Sequence, residues 1–431
     1  MATTLPYTTA VLGVPFHSVT IDEAIDFIEE KIDEGGFHQV ATANVDFLMH
    51  SMRDKGLQEI LCSCDLVVPD GMPILWAAKL LGSSLKERVC GIDLVPRLAK
   101  LCLERHFSIF LLGASDAVSA RAADNLKRSF PGLRIAGRYS PPARPLKQMN
   151  HEEILQKIAQ AKPDILLVAF GNPKQEKWIA MHRDRLRVPV CIGVGGSFDF
   201  VAGSVSRAPG WMQICGLEWL YRVSQEPKRL AQRYFHDAVG LAVHMPSQLF
   251  TTALQPRNKV RSGVFLDHIG TTDVISVYGD FTGPMVKEFQ SLASTAIANG
   301  MNMVMNLAET TYIGTDALGS MIQISSALRQ SKRELWLAEM RPHLRRMLQS
   351  AHLNMYFMTT TSVDDAIHRA ERAEQRHHTR ATATRRANRM AHATVQVRFE
   401  ILQDICQKIA VNTPDMHHTA RGTSAGYVLP T

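Results

Sequence analysis

Asp70, within VVPDGMPILWAAKLLG, sets a carboxylate and a glycine at the end of a short apolar run, 65–69. A carboxylate at a strand end can take a proton from an attacking hydroxyl when its geometry and pKa suit. The same dipeptide also suits a helix N-cap or a tight turn. A second candidate is Gly195-Gly196, which ends the apolar run 190–194. With no Cβ at either position, backbone N–H groups there can approach a ligand closely. The segment that follows carries Arg207, Trp211, Glu218, Trp219, Arg222, Lys228, Arg229 and Arg233. A strand, a glycine turn and then many cations suit an anionic ligand such as a nucleoside diphosphate, although a turn and a solvated basic helix would read the same way.

These residues need elements to position them. Apolar runs near 39–42, 65–69, 108–113, 133–137, 164–171 and 190–194 alternate with amphipathic stretches, the first opened by the capping box Thr20-Ile-Asp-Glu23. Strands alternating with helices imply an α/β, Rossmann-like, largely parallel sheet covered on both faces. Ligands bind such sheets at the carboxyl ends of the strands. Asn44, Asp70, Asn172 and Gly195-Gly196 all follow strands in this reading, so they converge on one site. Asn172 and Gln175 equally suit the capping of a helix. In Gly193-Val-Gly195-Gly196-Ser-Phe198 the third glycine of a dinucleotide fingerprint would fall on Phe198, which speaks against a dehydrogenase.

The order of the motifs resembles the WecG/TagA/CpsF family of glycosyltransferases from about Val11 to Gly240. The resemblance rests on Thr42-x-Asn44, Asp70-Gly71, Glu87-Arg88-Val-x-Gly91-x-Asp93, Gly171-Asn-Pro-Lys-Gln-Glu-Lys-Trp178, Gly-Gly-Ser-Phe-Asp, Arg207-Ala-Pro, Gly216-Leu-Glu-Trp-Leu-Tyr-Arg222 and Glu226-Pro-x-Arg229-x-x-x-Arg233. It implies inverting transfer of an N-acetylhexosamine, N-acetylmannosamine or its uronic acid foremost, from a UDP donor to a polyprenyl-diphosphate-linked saccharide. Asp70 would be the base. Thr42, Asn44, Arg88, Asn172, Gln175, Gly195, Gly196 and Arg207 would bind substrate. Arg222, Arg229 and Arg233 would close the site and meet an anionic membrane, where each cation contributes about 1 kcal/mol. After the strand at 133–137 the chain reads Arg138-Tyr-Ser-Pro-Pro, where the family often has a glycine–aromatic pair, which bears on the identity of the donor.

From Val274 to Ala370 the chain is similar to STAS domains of the anti-sigma-factor-antagonist type, through a strand ending in Gly279-Asp280 and the turn Tyr312-Ile-x-Thr-x-Ala-Leu-Gly319. Where such domains read Asp-Ser-Ser-Gly, this chain places Thr315 and Asp316, so the phosphorylatable position holds a carboxylate. That carboxylate could mimic a fixed phosphate charge or simply cap a helix. The resemblance implies a regulatory or partner-binding module. The expected organisation is a transferase domain over 1–250, a linker over 251–261, a STAS-like domain over 262–370 and a basic, largely disordered tail over 371–431.

A chain of 431 residues has room for these domains, and 45% hydrophobic with 21% charged residues is ordinary for a soluble protein. The formal charge of +7 favours anionic partners, but no nucleic-acid-binding motif is present, so no specific nucleic acid is expected. Seven cysteines without zinc spacing imply reduced thiols. The N-terminus lacks the basic region and apolar core of a signal peptide, and no run approaches the ~20 apolar residues of a membrane span. The expected location is cytoplasmic, peripheral at the inner face of the membrane. A catalytically silent scaffold serving a STAS-type regulator is the rival reading, and Thr42, Asn44, Asp70, Arg88 and Gln175 together favour the enzyme. No cofactor is expected. The first domain also lacks the Asp-x-Asp pair with which many nucleotide-sugar transferases hold a metal on the diphosphate. Turnover is therefore expected to survive EDTA; complete loss, restored by Mn²⁺ or Mg²⁺, would overturn that expectation.

Overall fold

Alternate residues of the central strands enter different cores, and this makes the large sheet two-sided. The computed structural model describes residues 7–257 and 262–374, so most of the expected basic tail lies outside the described residues. The first eight strands are β1 (Thr8–Val11), β2 (Val14–His17), β3 (His38–Ala43), β4 (Leu66–Pro69), β5 (Ser108–Gly113), β6 (Arg134–Tyr139), β7 (Ile165–Ala169) and β8 (Val190–Gly193). Ile165 and Leu167 of β7 pack with Val190 and Ile192 on one face. Leu166 and Val168 pack with Phe110, Leu112 and Cys191 on the other. Strands β3 to β8 form one sheet in the order β4-β3-β8-β7-β5-β6, with every pairing parallel.

The helices after β3 (Val45–Arg53 and Lys55–Ser63) pack with Ala41, Ala43 and Val67. Phe198 and Ala202, after β8, pack on the opposite face. The chain thus leaves β3 and β8 in opposite directions, opening a crevice at their carboxyl ends. β1 and β2 form an antiparallel hairpin outside this sheet.

The second module is built on β9 (Gly263–Ile269), β10 (Thr272–Phe281), β11 (Asn302–Asn306), β12 (Thr310–Ile313), β13 (Leu335–Ala338) and β14 (Met358–Thr359). Its path is β12-β10-β11-β13-β14, with β9 antiparallel against β10 and the other pairings parallel. Its core takes in Ala10 and Cys62 of the first domain, so apolar burial is continuous between the modules.

Several contacts fix that junction. The helix Thr315–Gln330 lies against β1, with Gly319 at the closest approach: a Cβ there would sit 2.7 Å from Thr8 Oγ1 and 2.8 Å from the Thr8 carbonyl carbon. The helix Pro227–Ala253 runs from the crevice, through Pro246, to the second module. Sequence reading starts a linker at 251, but three of its residues are helical and Thr251 Oγ1 meets Ser350 Oγ at 2.5 Å. Along this helix and just beyond it, two buried glutamines clasp backbone. Gln248 accepts from Leu12 N (3.0 Å) and donates to Ala10 O (3.5 Å). Gln255 accepts from Ile313 N (2.9 Å) and donates to Ile313 O (3.3 Å). A buried amide N–H left without its acceptor costs about 1–3 kcal/mol, so these clasps set where the helix lies.

The turn at the head of the second module is enclosed by the same junction. Thr315 and Asp316 are 2% and 3% exposed. The Thr315 hydroxyl meets Ser83 Oγ at 2.8 Å. Asp316 accepts from Thr282 Oγ1 (3.0 Å) and Gly283 N (2.7 Å), and the Tyr7 hydroxyl also bonds to it. Replacing Gly319 with Leu should wedge the helix from β1 and cost about 1–3 kcal/mol, the usual penalty for overpacking. Thermal unfolding with hydrogen exchange on the hairpin checks this, and an unchanged midpoint with unchanged protection would show the contact to be slack.

Candidate active site

Four neighbouring strands, β4-β3-β8-β7, deliver Asp70, Asn44, Gly195-Gly196 and Asn172 to the rim of one cavity of about 1060 Å³. Asp70 follows β4 and donates its backbone N–H to Ala43 O at 2.9 Å, which ties it to the end of β3. Its carboxyl reaches the cavity and is bonded by the Cys90 thiol. Burial pushes the Asp70 carboxyl above the usual carboxylate range, and Glu218 adds to this, while the Cys90 hydrogen bond, Arg222 and Arg88 act the other way. An ionised Asp70 is thus a stronger base than a solvated carboxylate, and it has a neighbouring pair of cations.

Arg88 donates to Glu218 at 2.6 Å with both side chains nearly buried. Glu218 also lies 3.9 Å from Arg207 Nε, and Arg207 makes a two-pronged pair with Asp93. This network joins the segment after Asp70 to the helix Glu218–Gln225, which carries Arg222. Arg207, expected to bind substrate, does not line the cavity; its guanidinium is held by Asp93 and Glu218. Arg222 and Arg233, expected to meet a membrane as well as close the site, both line the cavity. Arg222 stands over the Phe200 ring at 5.2 Å and Arg233 over the Tyr234 ring at 4.9 Å. The side chain of Arg229 lies outside what the structure describes.

Gln175 and Thr42 line the cavity, yet their polar atoms are spent on the scaffold. Gln175 Oε1 accepts from Gly171 N and Gly195 N, both at 3.1 Å, and its Nε2 donates to Glu176 Oε1 at 2.8 Å. Thr42 donates to Gly193 O at 3.0 Å, stitching β3 to β8. Gly193 must be glycine for space: a Cβ there would stand 2.5 Å from Glu176 Oε1 and 2.6 Å from Gln175 Nε2. Asn44 caps the helix Val45–Arg53 through Phe47 N. Asn172 donates to Asp46 Oδ2 at 2.9 Å.

Trp76, Cys90, Phe200, Asp46, His50 and Asp237 also line the cavity and were not among the residues expected from sequence. Asp237 had a usable signal, since it stands one helical turn after Arg233 and therefore on the same face. Trp76 and Trp219, both lining the cavity, are 47% and 41% exposed. Among the described residues no group of three metal-ligating side chains forms.

The model of the glycosyl transferase WecG/TagA/CpsF family matches residues 9–255, and the STAS domain model matches 266–366. A protein of Bacillus spizizenii named N-acetylglucosaminyldiphosphoundecaprenol N-acetyl-beta-D-mannosaminyltransferase is 35% identical over 197 residues, 46% of this chain and 74% of that protein. A protein of Bacillus subtilis with the same name is 31% identical over 223 residues, 52% of this chain and 85% of that protein. Among solved structures, the anti-sigma factor antagonist SpoIIAA in its unphosphorylated form aligns at 22% identity and a TM-score of 0.23, covering 25% of this chain and 96% of that one.

Glu176, fully buried behind Gln175, is pushed from the usual 4.5 to about 8 by burial. Below about 4.5 the folded and unfolded chains both hold this proton, and the group leaves stability unchanged. Between about 4.5 and about 8 only the folded chain keeps it, so stability falls as pH rises through that window. Glu176→Gln should flatten the decline, narrowing the difference in denaturation midpoint between pH 5 and pH 9. An undiminished difference would show that Glu176 does not carry it.

Proposed function

We propose, from the premise that this chain belongs to the glycosyl transferase WecG/TagA/CpsF family, that it moves an N-acetylmannosamine-type sugar from a UDP donor to a polyprenyl-diphosphate-linked saccharide, with inversion. The observation that carries this reading is the meeting of Asp70 with a cation-lined cavity at the carboxyl ends of four adjacent strands. The names of the two Bacillus relatives supply the sugar and the lipid-linked acceptor. In the proposed step Asp70 accepts the proton of the acceptor hydroxyl as that oxygen bonds to the anomeric carbon. The bond from that carbon to the diphosphate oxygen breaks, and the electron pair leaves on the diphosphate. Arg222 and the backbone N–H of Gly196 face the charge that develops there. Gln175 holds that backbone in place rather than binding the sugar. The second module is proposed to support this site from within the chain, since its turn at Thr315 and Asp316 is buried against the transferase domain.

A lipid-linked acceptor calls for contact with a membrane, and no helix among the described residues is long and apolar enough to cross one. The helix Pro227–Ala253 offers a different face for the task. Phe235, Val239, Val243, Phe250 and, just past its end, Leu254 are all exposed and fall on one stripe at successive spacings of four, four, seven and four. Trp76, Leu80, Trp219 and Leu220 are exposed beside the cavity. This face suits shallow insertion at the surface of an anionic bilayer, with the protein peripheral at the cytoplasmic side.

Asp70→Asn should lower turnover ~10²–10⁴-fold, the usual weight of general-base catalysis, with UDP binding retained. Activity within a few-fold of wild type would remove Asp70 from the role of base and favour a silent scaffold. Changing Phe235, Val243 and Phe250 together to Ser should release the protein from anionic liposomes and impair transfer to a lipid-anchored acceptor more than to a short soluble one. Arg222→Glu should impair both acceptors alike, because it faces the cavity. The opposite pattern would exchange the two roles.

A further inference from the structure

The proposed transfer leaves one wall of the cavity without work. This wall is built by the helix Val45–Arg53, the residue after the β7 loop and the helix Pro227–Ala253. Asp237 lines it at 7% exposure with no hydrogen-bond partner among the described residues. Asp46 lies beside it, accepting from Asn172 Nδ2 at 2.9 Å and approaching His50 Nδ1 at 3.3 Å. Two further polar atoms of the same wall are buried and unpartnered, Asn172 Oδ1 and Arg233 Nε. Burial and the neighbouring Asp46 push the Asp237 carboxyl up to about 6, while Arg233 and His50 pull it down, so near neutral pH it is mainly ionised.

A nearly buried carboxylate without a donor is costly, and the atoms facing this wall are mostly acceptors. The ligand that satisfies them brings hydroxyl or amide protons and no negative charge. A diphosphate belongs at the other end of the cavity, with Arg222 and the Gly195-Gly196 backbone. Asn172 follows β7, the strand paired with β8 that leads into that glycine turn, so the wall adjoins the place where a sugar joined to the diphosphate would lie. Resting on the transfer reading above, we propose that Asp237, Asp46 and Asn172 read the hydroxyl groups of the donor sugar and select a neutral N-acetylhexosamine over its uronic acid. A uronate would set a third carboxylate against two existing ones in a partly desolvated cavity, where like charges repel more strongly than in water.

The test uses the full chain with UDP-N-acetylmannosamine and UDP-N-acetylmannosaminuronic acid, measuring both turnover and binding by calorimetry. Wild type should bind the neutral donor at least tenfold more tightly than the uronate. Asp237→Asn should raise the KM for the neutral donor several-fold, leave the Kd for UDP within about twofold, and shrink the discrimination to about twofold. Asp46→Asn should shift discrimination the same way, with a thermal melt confirming that both variants are folded. Equal binding of the two donors by wild type would overturn the proposal, as would undiminished discrimination in both variants or an effect confined to the acceptor's KM. Because binding is read without turnover, selective binding with no transfer to any polyprenyl-diphosphate acceptor would instead sink the transfer reading and leave the subsite standing.

Discussion

The cavity depends on one carboxamide. Gln175 Oε1 holds the N–H groups of Gly171 and Gly195 together, so separating the loops after β7 and β8 would break two hydrogen bonds to a buried carboxamide. Its other end is held by Glu176, a fully buried carboxyl whose own environment keeps it protonated well above the usual range. Both residues are packed so closely under β8 that Gly193 leaves no room for a side chain. With the Gly195 N–H held by Gln175, the backbone at Gly196 is fixed at the cavity edge, where a mobile loop would have to reorganise around an anion.

A second layer of constraint comes from charge. Arg88, Glu218, Arg207 and Asp93 alternate in sign and bridge three separate stretches of sequence. Their pairs satisfy one another in a partly buried setting, where removing one member leaves the next uncompensated. The network places Arg222 in reach of Asp70 by fixing the helix that carries it. The long helix continues this logic by another means, with Gln248 and, just past its end, Gln255 binding the backbone of the β1–β2 hairpin and of β12.

Much of this was legible in the sequence because strand ends announce themselves. Short apolar runs broken by Asn44, Asp70, Asn172 and Gly195 locate the carboxyl edge of a parallel sheet without any knowledge of strand order. The order itself, with β8 inserted between β3 and β7, leaves no local trace, and neither does the resulting adjacency of those four ends. Roles were less legible than positions. Arg207 and Gln175 were expected to bind substrate because they match the family's motifs; whether such a side chain faces the cavity, a neighbouring carboxylate or a neighbouring loop is decided by packing between stretches that local pattern does not connect. Asp237 was hidden in a segment whose cations and apolar residues dominate the pattern.

The buried turn of the second module has a consequence for any outside protein that would bind it. Thr315 and Asp316 already have a partner in Ser83 and the hairpin side of the same chain, tethered through a short connection after Ala253. A tether of that kind presents its ligand at an effective concentration in roughly the millimolar range. A visiting protein that recognises this turn competes against that standing concentration, and its apparent affinity is reduced by the fraction of time the turn is occupied. Only a binder with affinity to spare, or one arriving when the junction is loosened, would see the module at all. Fusion of the two modules thereby leaves this turn occupied from within the chain.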